Sequence, residues 1–589
     1  MYKKNESYLI SKAFKNFLLA SILTSVVTQI NMMSDSIIVG NLISADAVSA
    51  INLTVPVVSL LTGFISLLGL GASVQAAKAF GEQRYQEASK IYTVSFVSLI
   101  VLLLVVAVLS LSFLPYLVNC LCDNGHIAIY LKDYIRILIP SFIVYAIFMN
   151  CGFFIGVDGN PKLITKAVII NSLVNILCDY VFIKFFQWGI SGAAYATLAG
   201  NIVGIGVVCK YMMGNHFLFR FTNPHSDGLM KLKNNVKQGT PLLVGNWTFC
   251  FLFFSFNSIV LQTQGRIGIF VMSICFQILM IGMMAVNGLG ATLISVGGVL
   301  LGEKDFTGFK ILTQKSLQFL LVVVCMITAY VWIAPQTIIK LYGINDTEQM
   351  AVCTMPLKIF ILCVLPFFLV MFVKFVHQLL GYVMTCLAFT VLPIVVVIPI
   401  VWFTAKTYPD GIWSAFPVAY FLVLIIQVLF TIFLRRKHLD SQFYTLIPSG
   451  LRKESLKISV LYNEKDVCEA LEKIKEFLTS AKLDISDMNN IQLCCEELMY
   501  NIEEHATDDP EKRSFDVHIY LKGDEVTVTL KDDGIPFNPI FQYVKPTKEQ
   551  LLKSEIKLGL TVVNGLCNDM NYKYMLGQNM VYLNFSLKH

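Results

Sequence analysis

The sequence predicts a polytopic α-helical membrane protein, twelve spans in two six-helix bundles, followed by a soluble α/β-sandwich domain. Three observations predict this. Apolar residues make up 56% of the 589 and charged residues only 14%. Apolar runs long enough to cross a bilayer, roughly 20 residues, recur at short intervals. From about Arg435 the runs shorten and charge becomes dense, which divides the chain into a membrane part and a tail.

The spans fall at 14–39, 49–77, 92–118, 132–156, 163–186, 190–213, 240–264, 268–300, 312–335, 352–375, 382–404 and 412–434. Basic residues collect at alternate ends: Lys3/Lys4/Lys12/Lys15, Lys78/Arg84/Lys90, Lys162/Lys166, Arg220/Lys231/Lys233/Lys237, Lys304/Lys310 and Arg435/Arg436/Lys437. The intervening stretches 40–48 and 119–131 hold none. That asymmetry expects both termini in the cytoplasm, and an even span count requires the same side for both ends; the chain is expected in the cell (inner or plasma) membrane. The first run follows lysines as a signal peptide does, but it is too long and lacks a small-residue cleavage site, so it reads as a retained helix. The net charge of +6 follows the loops and does not argue for nucleic acid. The cysteines show neither zinc-ligand spacing nor a secreted disulfide framework; Cys120/Cys122 and Cys494/Cys495 read as small buried residues.

The two bundles repeat one another. Leu68-Gly-Leu-Gly71-Ala-Ser73 recurs as Asn287-Gly-Leu-Gly290-Ala-Thr292. Each copy lies in the second span of its half and is followed by Gly-Glu, at Gly81-Glu82 and Gly302-Glu303. Parallel repeats of this kind are related by an axis along the membrane normal, and transporters commonly bind substrate between them.

Polar residues inside the spans are the candidate site. A carboxylate at mid-membrane costs about 2.5–3.5 kcal/mol. Asp35, near the far end of span one, therefore either marks the helix end or faces a wet cavity. Asn175 and Asp179 stand at i, i+4 on one face of span five, and Thr197 lies on span six. Two carboxylates, an amide and a hydroxyl offer hard oxygen ligands to Na⁺, or a site for a shared proton. The second half has no matching acidic pair. Its Asn246, Asn257, Gln262, Gln277 and Asn287 read as helix cross-links. Met272, Met280, Met283 and Met284 read as packing, and Lys374 and His377 fall in an apolar connection.

Asp35-Ser-Ile-Ile-Val-Gly40, Gly156-Val-Asp-Gly-Asn-Pro161, Asn171-Ser-Leu-Val-Asn175-Ile-Leu-Cys-Asp179 and Trp188-Gly-Ile-Ser-Gly-Ala-Ala-Tyr-Ala-Thr197 resemble the multidrug and toxic compound extrusion (MATE) family. The resemblance covers about residues 10–438. It implies export of drugs or amphiphilic organic compounds against inward Na⁺ or H⁺ movement, with Asp35, Asn175, Asp179 and Thr197 as the cation site. The expected units are a six-helix lobe at 1–220, a second at 221–438, a linker at 439–454 and a cytoplasmic domain at 455–589.

The tail reads as a strand at 456–462, helices at 465–480 and 486–506, a hairpin over 515–530, a helix at 550–568 and a final hairpin at 571–587. Glu497, Asn501 and His505 recur every four residues as one helix stripe. Asp532-Asp-Gly534 follows the hairpin, and Lys557-Leu-Gly559 opens the last helix. In this order the motifs resemble the GHKL (histidine kinase-like, Bergerat-type) ATPases, and among them the anti-sigma-factor serine kinases. The resemblance implies that Asn501 coordinates Mg²⁺ and that Glu497 orients or deprotonates an attacking hydroxyl. Asp532 would accept from the adenine amine, Gly534 would let the base approach, and Gly559 would offer backbone N–H groups to phosphate; His505 completes the ATP-binding motif. Ile556-Lys557 replaces the family's paired glycines before Gly559, which restricts the lid.

The combined expectation is a cation-coupled exporter with a regulatory ATP-binding tail, since the chain has no Gly-x-x-x-x-Gly-Lys-Ser/Thr loop. Its rivals are a membrane-anchored kinase that phosphorylates a serine on a small partner protein, with the bundle as sensor, and a flippase for lipid-linked sugars.

Overall fold

The computed structural model describes residues 8–122, 125–214, 217–224, 227–341, 347–437, 454–481, 483–504, 513–539 and 559–587. Twelve helices are long and apolar enough to cross a membrane. They are α1 (Tyr8–Leu42), α2 (Asp46–Gly81), α3 (Tyr85–Ser112), α4 (Ile127–Val157), α5 (Pro161–Phe185), α6 (Ile190–Met212), α7 (Gly228–Gly265), α8 (Ile267–Gly302), α9 (Phe306–Ile333), α10 (Met350–Leu380), α11 (Val383–Thr407) and α12 (Pro409–Leu434).

Local chemistry sets the ends. Ser44 accepts from the N–H of Ala47 ahead of α2. Asn160 accepts from that of Leu163, with Pro161 at the first helical position of α5, and Asp305 accepts from Gly308 at the start of α9. These side chains satisfy N–H groups that a helix start leaves unpaired. Helices α7 and α8 meet at Gly265, whose φ of +62° suits glycine. Gly381, at φ +88°, ends α10 in the left-handed conformation. That helix runs past the expected boundary, so Lys374 and His377 stand on it rather than in a connection, with His377 fully buried.

The repeated Gly-Glu segments are where the two halves touch. A methyl on Gly81 would lie 2.2 Å from the Val299 carbonyl oxygen, and one on Gly302 2.3 Å from that of Lys78. Deeper in, a methyl on Gly239 would lie 1.8 Å from the Leu67 carbonyl oxygen. Small residues let these backbones pack directly, as in other membrane helix pairs. Asn246 donates to Ser66 across the same boundary (3.2 Å), a cross-link as expected. Gln262, Gln277 and Asn287, by contrast, are exposed. Met272 is fully buried packing. The cysteines are free thiols; Cys494 and Cys495 are buried, but Cys120 is exposed, against expectation.

The tail folds as β1 (Ser455–Leu461), α13 (Glu464–Ser480), α14 (Ile485–Glu504), β2 (Ser514–Lys522), β3 (Glu525–Asp532), α15 (Gly559–Leu566), β4 (Asp569–Met575) and β5 (Gln578–Ser586). The five strands form one antiparallel sheet in the order β1-β2-β3-β5-β4. Phe515, Val517, Ile519, Val526, Val528, Leu530, Val581 and Leu583 alternate along their strands onto one face. There they form a core with Val467, Ile474, Cys495, Leu498 and Val563 of the helices. The expected linker, apart from Glu454, lies outside the described residues, as do the 550–558 part of the last expected helix, His505, Ile556 and Lys557.

Candidate functional site

The membrane candidates come together on α1, α5 and α6. Asp179 is fully buried. None of the described N–H or O–H groups donates to either of its carboxyl oxygens. The group that faces it is the Asp35 carboxyl, close enough for a hydrogen bond between the two. Two carboxyls make such a bond only when one carries the proton; with neither protonated they repel and need a cation between them. Asn175 is buried one turn back on α5 and donates through Nδ2 to Thr197 Oγ1 (3.3 Å). Thr197 also donates to the Ala193 carbonyl (3.2 Å). The four residues are thus neighbours in the half of the membrane away from the tail, about 40 Å of helix from Tyr8.

Sequence reasoning gave no role to Tyr134, Asn171, Asn201 or Gly200 nearby. Tyr134 of α4 is buried within electrostatic reach of both carboxyls. Asn171 donates to Asn201 (2.8 Å), binding α5 to α6 one turn further from Asn175. A methyl on Gly200 would come within 2.8 Å of the Asn171 carbonyl oxygen, so glycine permits this approach. Tyr134 gave no spacing signal. The amides did, since Asn171 and Asn175 share the i, i+4 stripe.

Buried carboxyl oxygens without a donor, beside a second carboxyl, an amide and a hydroxyl, fit a hard cation or a proton. In the second half, Lys374 has no carboxylate partner among the described residues; its ammonium lies 3.9 Å from where a methyl on Gly245 would be.

In the tail, α14 presents Glu497 and Asn501 on one stripe, both half-buried. Cys494 Sγ contacts the Val563 carbonyl (4.0 Å), which sets α14 beside α15 and so beside the helix that opens at Gly559. Asp532 ends β3. Its Oδ1 accepts from the Gly534 N–H (2.8 Å) and from Asn579 Nδ2 (2.8 Å). Burial raises the Asp532 carboxyl above its ordinary range, while these two donors pull it down. A methyl on Gly534 would sit 2.9 Å from Asp532 Oδ1, which explains glycine at this position. Asn579 also donates to the Ile535 carbonyl (3.1 Å) and accepts from Phe537 N–H (3.2 Å) and the Tyr572 hydroxyl (2.7 Å). It shapes the 532–537 loop, and the sequence reading, which placed it only within the final hairpin, gave it no role.

Asp533, the unassigned middle of Asp532-Asp533-Gly534, reaches the first membrane helix. It accepts from Tyr8 Oη (2.8 Å) and Lys12 Nζ (2.5 Å), both on the first membrane helix. Burial would raise its carboxyl, but those two donors hold it below its ordinary value.

A twelve-helix bundle of two repeated halves defines the class: a multi-pass membrane transporter with an α/β ATPase domain. The MatE family matches residues 20–181 and again 241–403, so the chain belongs to that family. A histidine kinase-like ATPase domain matches residues 463–585. A multidrug export protein, MepA, of Staphylococcus haemolyticus is 25% identical over 365 residues, covering 60% of this chain and 78% of MepA. MepA of Staphylococcus aureus is 24% identical over 206 residues, 35% of this chain and 46% of that protein. Among solved structures, a MOP superfamily transporter from Pyrococcus furiosus superposes with a TM-score of 0.67 at 18% identity, over 75% of this chain and all of that one. A MATE transporter in an outward-facing conformation gives 0.64 at 18% identity, over 72% and 95%.

Proposed function

We propose that the chain exports drugs or other amphiphilic organic compounds by exchange for Na⁺ or H⁺, and that its ATP-binding tail regulates the exchange from the cytoplasm, where both termini would lie. The observation that carries the exchange is Asp179, buried, without a donor, and facing Asp35. The MepA relatives, described as multidrug export proteins, support the substrate class. In this reading Asp35 and Asp179 hold the ion or proton with help from Asn175 and Thr197, and that occupied state favours one packing of the two halves. Substrate favours the other. Differential affinity for two packings is all that coupling requires.

In the tail, Glu497, Asn501, Asp532, Gly534 and Gly559 would hold Mg²⁺–ATP, the oxygen of Asn501 suiting the metal. A second reading, phosphorylation of a serine on a small partner protein, is favoured by Glu497 standing one turn from Asn501 on the same stripe.

Export by reconstituted vesicles under an imposed Na⁺ or H⁺ gradient, with and without ATP inside the tail-facing compartment, tests both. A gradient should drive export without ATP, and ATP should change its rate. ATP-driven export in the absence of either gradient would overturn the reading. Glu497→Ala should leave gradient-driven export intact and abolish any partner phosphorylation.

A further inference from the structure

An antiparallel sheet with helices on one face ordinarily leaves its other face to water. Here that second face carries Lys457 on β1, Asp516 and His518 on β2, Thr529 and Lys531 on β3, and Met580 and Tyr582 on β5. Asp516, His518, Lys531 and Tyr582 are only 2–5% exposed. What covers them is the tail-side end of the transporter.

The contacts reach both halves. From the second half, Glu303 pairs with Lys531 and accepts from the Tyr582 hydroxyl (2.8 Å). Asp305 pairs with Lys457 at 2.6 Å, and Lys457 lies 3.4 Å from Asp516. From the first half, Gln83 accepts from Asn584 Nδ2 (3.1 Å), the Leu9 carbonyl accepts from Gln578 (3.1 Å), and the Lys573 ammonium lies 4.6 Å over the Tyr85 ring. Gly159, at φ +96°, packs so closely under the β4–β5 turn that a methyl there would lie 2.5 Å from the Leu576 nitrogen. Gln83 and Glu303 each follow one of the repeated Gly-Glu segments or belong to it, and there the halves meet backbone to backbone.

We propose that this polar sheet face is a clasp that holds the tail-side ends of the two transporter halves together, with the nucleotide loop tied into it through Asp533. Opening that side must part Gly81 from Val299 and Gly302 from Lys78, and so part Gln83 from Glu303. Their partners cannot follow. Asn584 is paired with Thr527, Tyr582 with Thr529 and Met580 with Lys531 in one hydrogen-bonded ladder, which does not stretch. The domain therefore releases one half or keeps that side shut. Release of the second half leaves Glu303, Lys531 and Asp305 without these partners, and release of the first leaves Asp533 without Lys12, which makes the docked arrangement specific. Asp532 and Asp533 are adjacent, and Asp533 is gripped by Tyr8 and Lys12 of α1, the helix that carries Asp35. A nucleotide that moves Asp532 moves that grip. By reciprocity, breaking the clasp on the membrane side changes nucleotide affinity. This last step rests on the reading above that the tail binds ATP.

The test uses the full chain in lipid nanodiscs, with amide exchange of segments 81–85 and 302–306 and binding of a fluorescent ATP analogue with Mg²⁺. Glu303→Lys and Lys531→Glu should each speed exchange and shift analogue affinity by at least about five-fold, the low end of measured coupling between sites. The double swap should restore both, which a merely misfolded variant would not. Lys12→Met should also shift analogue affinity, and unchanged affinity in this variant would overturn the nucleotide link. Wild-type exchange rates in the single variants, or a double swap as fast as the singles, would overturn the clasp. If the wild type binds no analogue, the ATP reading and the nucleotide link both fail, and the exchange rates alone still decide the clasp.

Discussion

Asp179 and Gly534 show what one side chain does in each part of the chain. Asp179→Asn removes the charge but keeps the shape, and its amide can donate to Asp35. Bundle stability should therefore change by less than about 1 kcal/mol or rise, because a buried carboxyl without a donor is costly. Thermal unfolding in detergent measures this. Gly534→Ala should cut Mg²⁺–ATP affinity about ten-fold or more, since its methyl must displace the Asp532 carboxyl that the proposed site would use to hold the base. Asn579→Leu removes a donor and an acceptor that serve four partners, and should destabilise the tail by about 2–3 kcal/mol. The polar residues in apolar spans were legible because lipid makes them expensive. Asn579 was not, because its value lies in partners 7 to 47 positions away in sequence, which no local pattern contains.

At the scale of elements, the twelve spans were readable to within a few residues at most ends, because hydropathy and loop charge are local. Helix α7 was the larger miss: it begins at Gly228 rather than near 240, its first turns being amphipathic and lying outside the apolar run. The strand alternation was also readable, but not what it meant. The alternation of Asp516-Val-His518-Ile marks two faces but not what covers the polar one, which is buried against another part of the chain. That burial has a pH consequence. Burial, together with the nearby Lys457 and Lys531 charges, lowers His518 to about 4, although Asp305 opposes the shift. Burial would raise Asp305, but Lys457, His518 and Lys531 hold it well below the ordinary carboxylate range. Both groups are depressed when docked, so the undocked form binds more protons as pH falls. The contribution of these groups to docking is thus fully present above about 6.5, is lost as pH falls towards 4, and falls further as Asp305 takes its proton. Lys457, raised by Asp305 and Asp516 against the effect of burial, loses its contribution only in alkali. Limited proteolysis of the tail in nanodiscs should accelerate between pH 6.5 and 4, and His518→Gln should blunt the first part of that change.

At the scale of the molecule, the chain joins a transporter whose candidate cation site is towards one end of its helices to an ATPase domain docked on the other end. Helix α1 reaches both, with Asp35 near one end and Tyr8 and Lys12, which contact the tail, at the other. Fusion explains why the tail's sheet could acquire a buried polar face: a tethered domain meets the same surface at high effective concentration, so specific contacts need supply little affinity. Sequence composition revealed two parts; it held no sign that they share an interface, because the pairs Glu303–Lys531 and Asp533–Lys12 are each more than 200 residues apart. Exchange is proposed to run through Asp35 and Asp179. Its most direct measurement is ion movement driven by substrate: proteoliposomes are loaded with an exported compound, diluted, and followed with a Na⁺- or pH-sensitive dye. The account predicts counter-movement of one of the two ions in the wild type and at least about ten-fold less in Asp179→Asn, with compound binding retained. Equal ion movement in the variant and the wild type would contradict it.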